Sequence, residues 1–353
     1  MTLPKAATGQ VQTVLGAVPP AELGATTMHE HLVIDFSVVF QQHAEATAAH
    51  KARRPVALDN LGRVRHDPFS SLDDLRLLDE ETAVAEAALF GRAGGGTIVD
   101  VTSVGIGRDP RALARIARGT GLNVVMGCGY YVGASHPAGM DGKSVDDVAR
   151  EIVANVTEGV GDTGIRAGII GELGCSWPLT DSERRVLRAG ALAQRETGAA
   201  ITVHPGRAEA APLEVLDVLA GEGADVGRVV IGHLGRTYRD VDGVVELTRR
   251  GCYLEYDQFG WESSNFSLGD MDFPSDAQRI DHVVGLIEAG YADRLLVGQD
   301  VCAKHCLTSY GGYGYAHLLT NIAPRLRERG VAESDVRAIL YDNPARVLAL
   351  ALA

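Results

Sequence analysis

The chain has 353 residues, 46% hydrophobic and 22% charged, enough to bury a sizeable core as one large domain or two average ones. Its formal net charge is −13 with no clustered basic stripe, which argues against nucleic acid as a partner. The opening MTLPKAATGQ lacks the apolar run of a signal peptide and no stretch reaches about 18 uninterrupted apolar residues, which argues against secretion and a membrane span. The five cysteines fall at irregular spacing, so a reduced, cytoplasmic protein is expected.

In chain order, residues 26–35 (TTMHEHLVID) read as the first strand. A long polar insert follows over 36–71, with a helix expected at 41–51. Helices are then expected over 72–93, 110–121, 144–160, 182–197, 211–222, 241–250 and 276–289, where apolar residues recur at helical spacing. In the fourth of these, Asp181 and Ser182 are the expected N-cap, with Glu183 in the first turn and Gly198 as the stop. Between the helices lie short β-branched runs at 96–102, 122–129, 167–173, 200–204, 228–233, 252–257 and 294–300. A Gly/Tyr/Cys/His-rich loop over 301–314 follows the last run. Near-continuous apolar strands alternating with helices imply an α/β protein whose parallel sheet is covered on both faces. Eight such units predict a single-domain (β/α)8 TIM barrel spanning residues 1–353, although an open doubly wound sheet would look alike in any one unit.

The placement of polar residues carries the chemistry. His29 and His31 stand at i and i+2 on the first strand and so share a face. Glu172 lies near the end of the fourth strand, and His204, His233 and Asp300 end the fifth, sixth and eighth. A lone buried histidine is more often a hydrogen-bonded core residue than a ligand. Here five of eight buried strands carry ionisable residues, which such strands rarely tolerate unpaired. Imidazoles and carboxylates suit Zn²⁺ and its first-row neighbours. Six donors exceed one tetrahedral site, so two ions about 3.5–4 Å apart are expected.

Other groups are weaker. Cys302, His305 and Cys306 lack a fourth ligand and read as loop packing. Cys175 has no base and orienter beside it. Gly94, Gly95 and Gly96 precede a strand without the lysine of a phosphate loop.

The HxH at His29-Glu30-His31, Glu172, His204, His233 and Asp300 match the metal pattern of a known family. So do the stretches GIIGELGCSWPLTDSERRVL, HPGR, GCYLEYDQFG and YGGYGYAHLLTN. On these the chain resembles the phosphotriesterase family of the amidohydrolase superfamily along its whole length, and most of all its phosphotriesterase-related branch. The resemblance implies that His29, His31 and Asp300 hold the more buried metal and His204 and His233 the more exposed one. The best-known phosphotriesterases bridge their metals with a carbamylated lysine; Glu172 stands in that position here, which favours a carbonyl substrate over an organophosphate. A metal-bridging hydroxide would attack the carbonyl, with Asp300 as the catalytic proton carrier. The branch is associated with amide hydrolysis of small anionic N-acyl compounds such as N-acetyltaurine; a lactonase, a phosphotriesterase or aryl esterase, and an inactive small-molecule binding protein are the rival readings. Arg207 and Arg236, three residues beyond His204 and His233, are expected to bind the anionic tail. Tyr131 and Tyr256 are expected to line the pocket, with Tyr130 and Asp257 as further candidates. Zn²⁺ is the expected metal, with Mn²⁺, Co²⁺, Ni²⁺ and Fe²⁺ as alternatives, and a homodimer is compatible with the fold.

Overall fold

A computed structural model describes residues 8–42, 46–262, 265, 267–269 and 271–352. Eight parallel strands pair in strict chain order: β1 (Ala25–Glu30), β2 (Gly95–Asp100), β3 (Asn123–Cys128), β4 (Ile169–Gly174), β5 (Ile201–His204), β6 (Val229–Ile231), β7 (Tyr253–Tyr256) and β8 (Leu295–Val297). The outer strands meet through polar contacts past the end of β8. The Asp300 N–H donates to the His29 carbonyl at 3.0 Å. Glu30, the middle residue of the HxH, accepts from the N–H groups of Gln299 and Val301 at 2.9 and 3.0 Å. Glu30 thus acts as a side-chain rivet that closes the barrel.

Helices fill the crossovers: α1 (Glu80–Arg92), α2 (Pro110–Thr120), α3 (Val145–Thr157), α4 (Asp181–Thr197), α5 (Ala211–Gly221), α6 (Val241–Thr248) and α7 (Asp276–Glu288). The expected α/β (β/α)8 barrel is the observed one. Differences are local. The first strand stops at Glu30 rather than at residue 35, because Ile34–Asp35 pairs antiparallel with Arg76–Leu77 across the insert. That pairing takes up the start of the helix expected from residue 72, and α1 begins only after Asp79, whose carboxylate accepts from the Thr82 N–H. In the insert a helix runs over Ala46–Ala52; residues 43–45 of the expected 41–51 lie outside the described residues. Thr180, not Asp181 or Ser182, caps α4, in a reciprocal capping box with Glu183. Gly198 ends that helix at φ 72°, as its lack of a Cβ permits.

The barrel interior divides into two layers. Its lower layer is apolar, with one residue from each strand or its edge: Met28, Val99, Val125, Ile169, Ala200, Val230, Tyr253 and Leu296. Val11 of an N-terminal hairpin (Val11–Thr13 with Gly16–Val18), together with Val347 and Leu348, seals it from below. Side chains alternate along a strand, so Glu255 and Asp257 follow Tyr253 into the interior while Leu254 and Tyr256 join the core outside, beneath the helices. The upper layer, at the C-terminal ends of the strands, is polar.

Candidate metal centre

The six sequence-predicted donors come together in that upper layer, all buried. Glu172 is central. Its Oε2 lies 3.5 Å from His29 Nε2, 3.2 Å from His204 Nδ1 and 3.6 Å from His233 Nε2, and its Oε1 lies 3.5 Å from His31 Nε2. Asp300 Oδ1 is 3.3 Å from His31 Nε2. The donors fall into two groups that converge within 4.8 Å: His29, His31 and Asp300, and Glu172, His204 and His233. Glu172, placed against nitrogens of both groups, occupies the middle position.

Backbone geometry helps to aim them. His233 and Asp300, each just past its strand, have φ of 58° and 51°. Non-glycine residues seldom adopt this left-handed region, so the fold carries strain at two donor positions. His31 is steered by Thr102, whose hydroxyl lies 2.9 Å from its Nδ1.

Electrostatics distinguish the histidines. Burial opposes a charge on His29, yet Asp257 and Glu172 together hold its pKa well above the usual histidine value. His233 is likewise raised against its burial, by Asp257. His204 goes the other way. Burial, His233 and Arg236 push it well below the ordinary value, so it is neutral. Burial would raise Glu172, but His29 and the hydrogen bonds from His204 and His233 keep it ionised.

These residues fit a pair of divalent cations. His29 Nε2 is buried with no hydrogen-bond partner. His233 Nδ1 is engaged by Asp257 at 2.8 Å, which turns its Nε2 inward to 2.8 Å from Nδ1 of the neutral His204. Ring nitrogens converging beside carboxylates of both groups form a metal-type donor set.

The other predicted contacts divide. Tyr131 meets the centre, its hydroxyl 3.2 Å from His204 Nδ1. Arg236 is buried and donates from Nη2 to the Pro205 carbonyl at 3.1 Å, with His204 Nε2 at 3.2 Å. Arg207 is half-buried, and its charge acts on both Tyr131 and Arg236. Tyr256 is a correction. It faces out of the barrel, its hydroxyl 3.3 Å from His282 Nδ1 on α7, because it is out of phase with Glu255 and Asp257. Tyr130 points away as well, to Glu151 and Lys143 of the α3 region. His305 is held by Asp74 at 2.8 Å with Cys306 beside it, while the convergent donor groups among the described residues do not include Cys302, His305 or Cys306.

Sequence reasoning placed Asp257 in the pocket wall and passed over Glu255. Both lie under the histidines: Asp257 touches His29 and His233, and Glu255 Oε2 is 3.2 Å from His29 Nδ1. The signal was present in YLEYD, two acids at i and i+2 on a strand otherwise buried.

The sequence matches the model of the phosphotriesterase family over residues 9–348. The chain belongs to the phosphotriesterase family. It is 42% identical over 342 residues to the N-acetyltaurine hydrolase of Rattus norvegicus, covering 96% of this chain and 98% of that protein. Its fold superposes on a resiniferatoxin-binding protein from Rhodobacter sphaeroides with a TM-score of 0.94 at 38% identity, over 98% of this chain and 96% of that one. An organophosphorus hydrolase from Deinococcus radiodurans matches with a TM-score of 0.76 at 27% identity, over 99% of both chains. As a phosphotriesterase-family protein, this chain is a hydrolase of a binuclear-metal family.

Proposed function

We propose that this phosphotriesterase-family chain is a single-domain amidase that cleaves small anionic N-acyl compounds, N-acetyltaurine among them. The observation that carries this reading is the buried Arg236 guanidinium beside His204, with the Arg207 charge acting on it. Burial and the Arg207 charge push the Arg236 pKa down to about 9, so an anion beside Arg236 would stabilise its charge. Arg236 Nη1 is buried with no hydrogen-bond partner and has a donor to give. A sulfonate or carboxylate tail supplies both the charge and the acceptors. The name of the rat relative, which is 42% identical, points to the same class of substrate.

His29, His31 and Asp300 would hold one divalent ion, His204 and His233 the other, with Glu172 between them. When bound, the two ions supply an acidified water as nucleophile and an electrophilic pull on the scissile carbonyl. The remaining work falls to the chain. Arg236 and Arg207 anchor the tail, which fixes the acyl group over the centre. Tyr131, whose hydroxyl proton is held tightly because burial and Glu172 raise its pKa, donates hydrogen bonds at the His204 side. Asp300 takes a proton from the attacking water and delivers it to the leaving nitrogen, so that amide and water become acid and amine. Gln258 Nε2, 3.4 Å from Asp300 Oδ2, and Trp261 Nε1, 2.9 Å from the Asp300 carbonyl, hold that residue in place. We assign the metals as Zn²⁺ from the histidine-rich donor set. We place the protein in a reducing, cytoplasmic setting from its five free, buried cysteines; among the described residues no helix is long and apolar enough to cross a membrane.

A hydrolysis screen of zinc-loaded protein tests this reading, with N-acetyltaurine, N-acetyl amino acids, lactones and an aryl phosphotriester side by side. Turnover of the anionic amides is the expected result. Lactone or phosphotriester turnover alone would show a different substrate class on the same centre, and no turnover would favour a binding role, as the name of the Rhodobacter neighbour suggests for that protein.

A further inference from the structure

Asp257 stands just past the end of β7 and contacts two histidines that belong to different donor groups. Its Oδ1 accepts from His233 Nδ1 at 2.8 Å, and its Oδ2 lies 3.2 Å from His29 Nδ1. The His233 main-chain N–H also donates to Oδ2, at 2.9 Å. His29 converges with His31 and Asp300, whereas His233 converges with Glu172 and His204. One carboxylate therefore grips a ligand-type histidine from each half of the centre. We propose that Asp257 is the positioning residue that couples the two metal positions, by accepting from His233 Nδ1 and lying against His29 Nδ1 so that both Nε2 atoms turn towards Glu172. The inference rests on the two-metal reading above.

Asp257 also lies with His29 and His233 in a third convergent group, the placement of a ligand in its own right. Its hydrogen bonds decide against that, because both oxygens are already committed to N–H donors. The two Nε2 atoms, by contrast, lie 3.5 and 3.6 Å from the same Glu172 oxygen, on the far side of each ring from Asp257. An imidazole that donates from Nδ1 keeps its lone pair on Nε2; Asp257 sets this for His233, and Asp257 and Glu255 together set it for His29.

The barrel is shaped around this carboxylate. A Cβ at Gly232, beside it on the β6 side, would lie 2.8 Å from Asp257 Oδ2 and 3.1 Å from the Val203 carbonyl. A Cβ at Gly298, on the β8 side, would lie 2.9 Å from His29 Cβ and 3.1 Å from Asp257 Cβ. Two glycines thus leave room for Asp257 and for one of the rings that it holds. Glu255 makes a useful contrast. It reaches His29 Nδ1 at 3.2 Å, but no hydrogen bond joins it to His233 among the described residues.

The test is Asp257→Asn, which keeps the shape but offers one acceptor and one donor where two acceptors are needed. The NH₂ group must then face one of the two Nδ1 atoms or the His233 main-chain N–H, which displaces the rings from the positions that Asp257 sets. Zinc affinities are read by chelator competition, and ring tautomers by long-range ¹H–¹⁵N spectra of the zinc-loaded protein. Wild type is expected to bind two ions, with His29 and His233 protonated at Nδ1. Asp257→Asn is expected to weaken zinc binding in both halves by about 10- to 100-fold and to shift the His233 Nδ1–H signal. Glu255→Gln should affect at most the His29 half. Gly232→Ala, which displaces the carboxylate without removing it, should weaken both halves and covers the case of an unfolded Asn variant. Unchanged affinities in Asp257→Asn or Gly232→Ala, or equal losses in Glu255→Gln, would overturn the coupling while leaving the two-metal reading intact. Failure of wild type to bind zinc would overturn both.

Discussion

The two sides of the site carry opposite charge, and their histidines respond in opposite ways. Under His29 and His233 lies Asp257, with Glu255 beside His29, and both rings are raised above the ordinary histidine pKa against the effect of burial. Beside His204 stand His233 and Arg236, and with burial they push the ring well below that value; the Arg207 charge acts in turn on Arg236. All three imidazoles are buried in one layer of one barrel, so desolvation alone does not separate them. Their neighbours do. An acidic floor suits resident cations, and a basic flank suits an anion that comes and goes. On the proposed function, this divides the site into a part that keeps its occupant and a part that selects one.

The largest expected effect comes from removing the carboxylate that joins the two parts. Glu172→Ala should cut metal content from about two ions per chain to one or fewer and abolish turnover. Metal analysis showing two ions with full activity in that variant would break the division at its centre. Next, Arg236→Ala should lower kcat/KM for an anionic N-acyl substrate by about 10- to 100-fold, the scale of a lost charge-assisted hydrogen bond, and leave a neutral amide almost unaffected. Equal losses on both substrates would mean that Arg236 serves the metals and not the tail.

A smaller effect should appear with pH. Metal-free His29 and His233 hold protons above the ordinary histidine range, and these protons must leave before the nitrogens can bind a cation. Apparent zinc affinity should therefore keep rising as the pH increases through and above the ordinary histidine range, with protons released on binding. Calorimetry in buffers of different ionisation enthalpy reads the release, and a flat profile would contradict the acidic floor's role. The smallest expected change is Tyr256→Phe. It removes a contact to His282 outside the barrel, so stability should fall by about 0.5–1.5 kcal/mol with kcat/KM unchanged. A changed kcat/KM would return Tyr256 to the pocket.

Much of this division was legible in the sequence. Apolar runs ending in His204, His233 and Asp300, and the His29/His31 pair, located the donor layer because ionisable groups on buried strands need a reason to be there. Arg207 and Arg236, by their spacing from His204 and His233, were legible as the basic flank. The acidic floor was harder to see. Reading Asp257 and Tyr256 together as pocket lining ignored the strand's period of two, which sends one inward and the other out. The task of Glu30, closing the barrel, depends on Gln299 and Val301, which are about 270 positions away in the chain, and no local pattern reports such a contact. The early end of β1 and the late start of α1 have the same origin, since each is set by pairing across the insert.

The most direct test of the account compares kcat/KM for N-acetyltaurine with that for N-acetylethanolamine, its neutral analogue, on zinc-loaded wild type. A preference for the sulfonate of about 10-fold or more is the expected result, the least that one charge-assisted contact provides. Equal rates on the two amides, or hydrolysis confined to lactones and phosphotriesters, would contradict it.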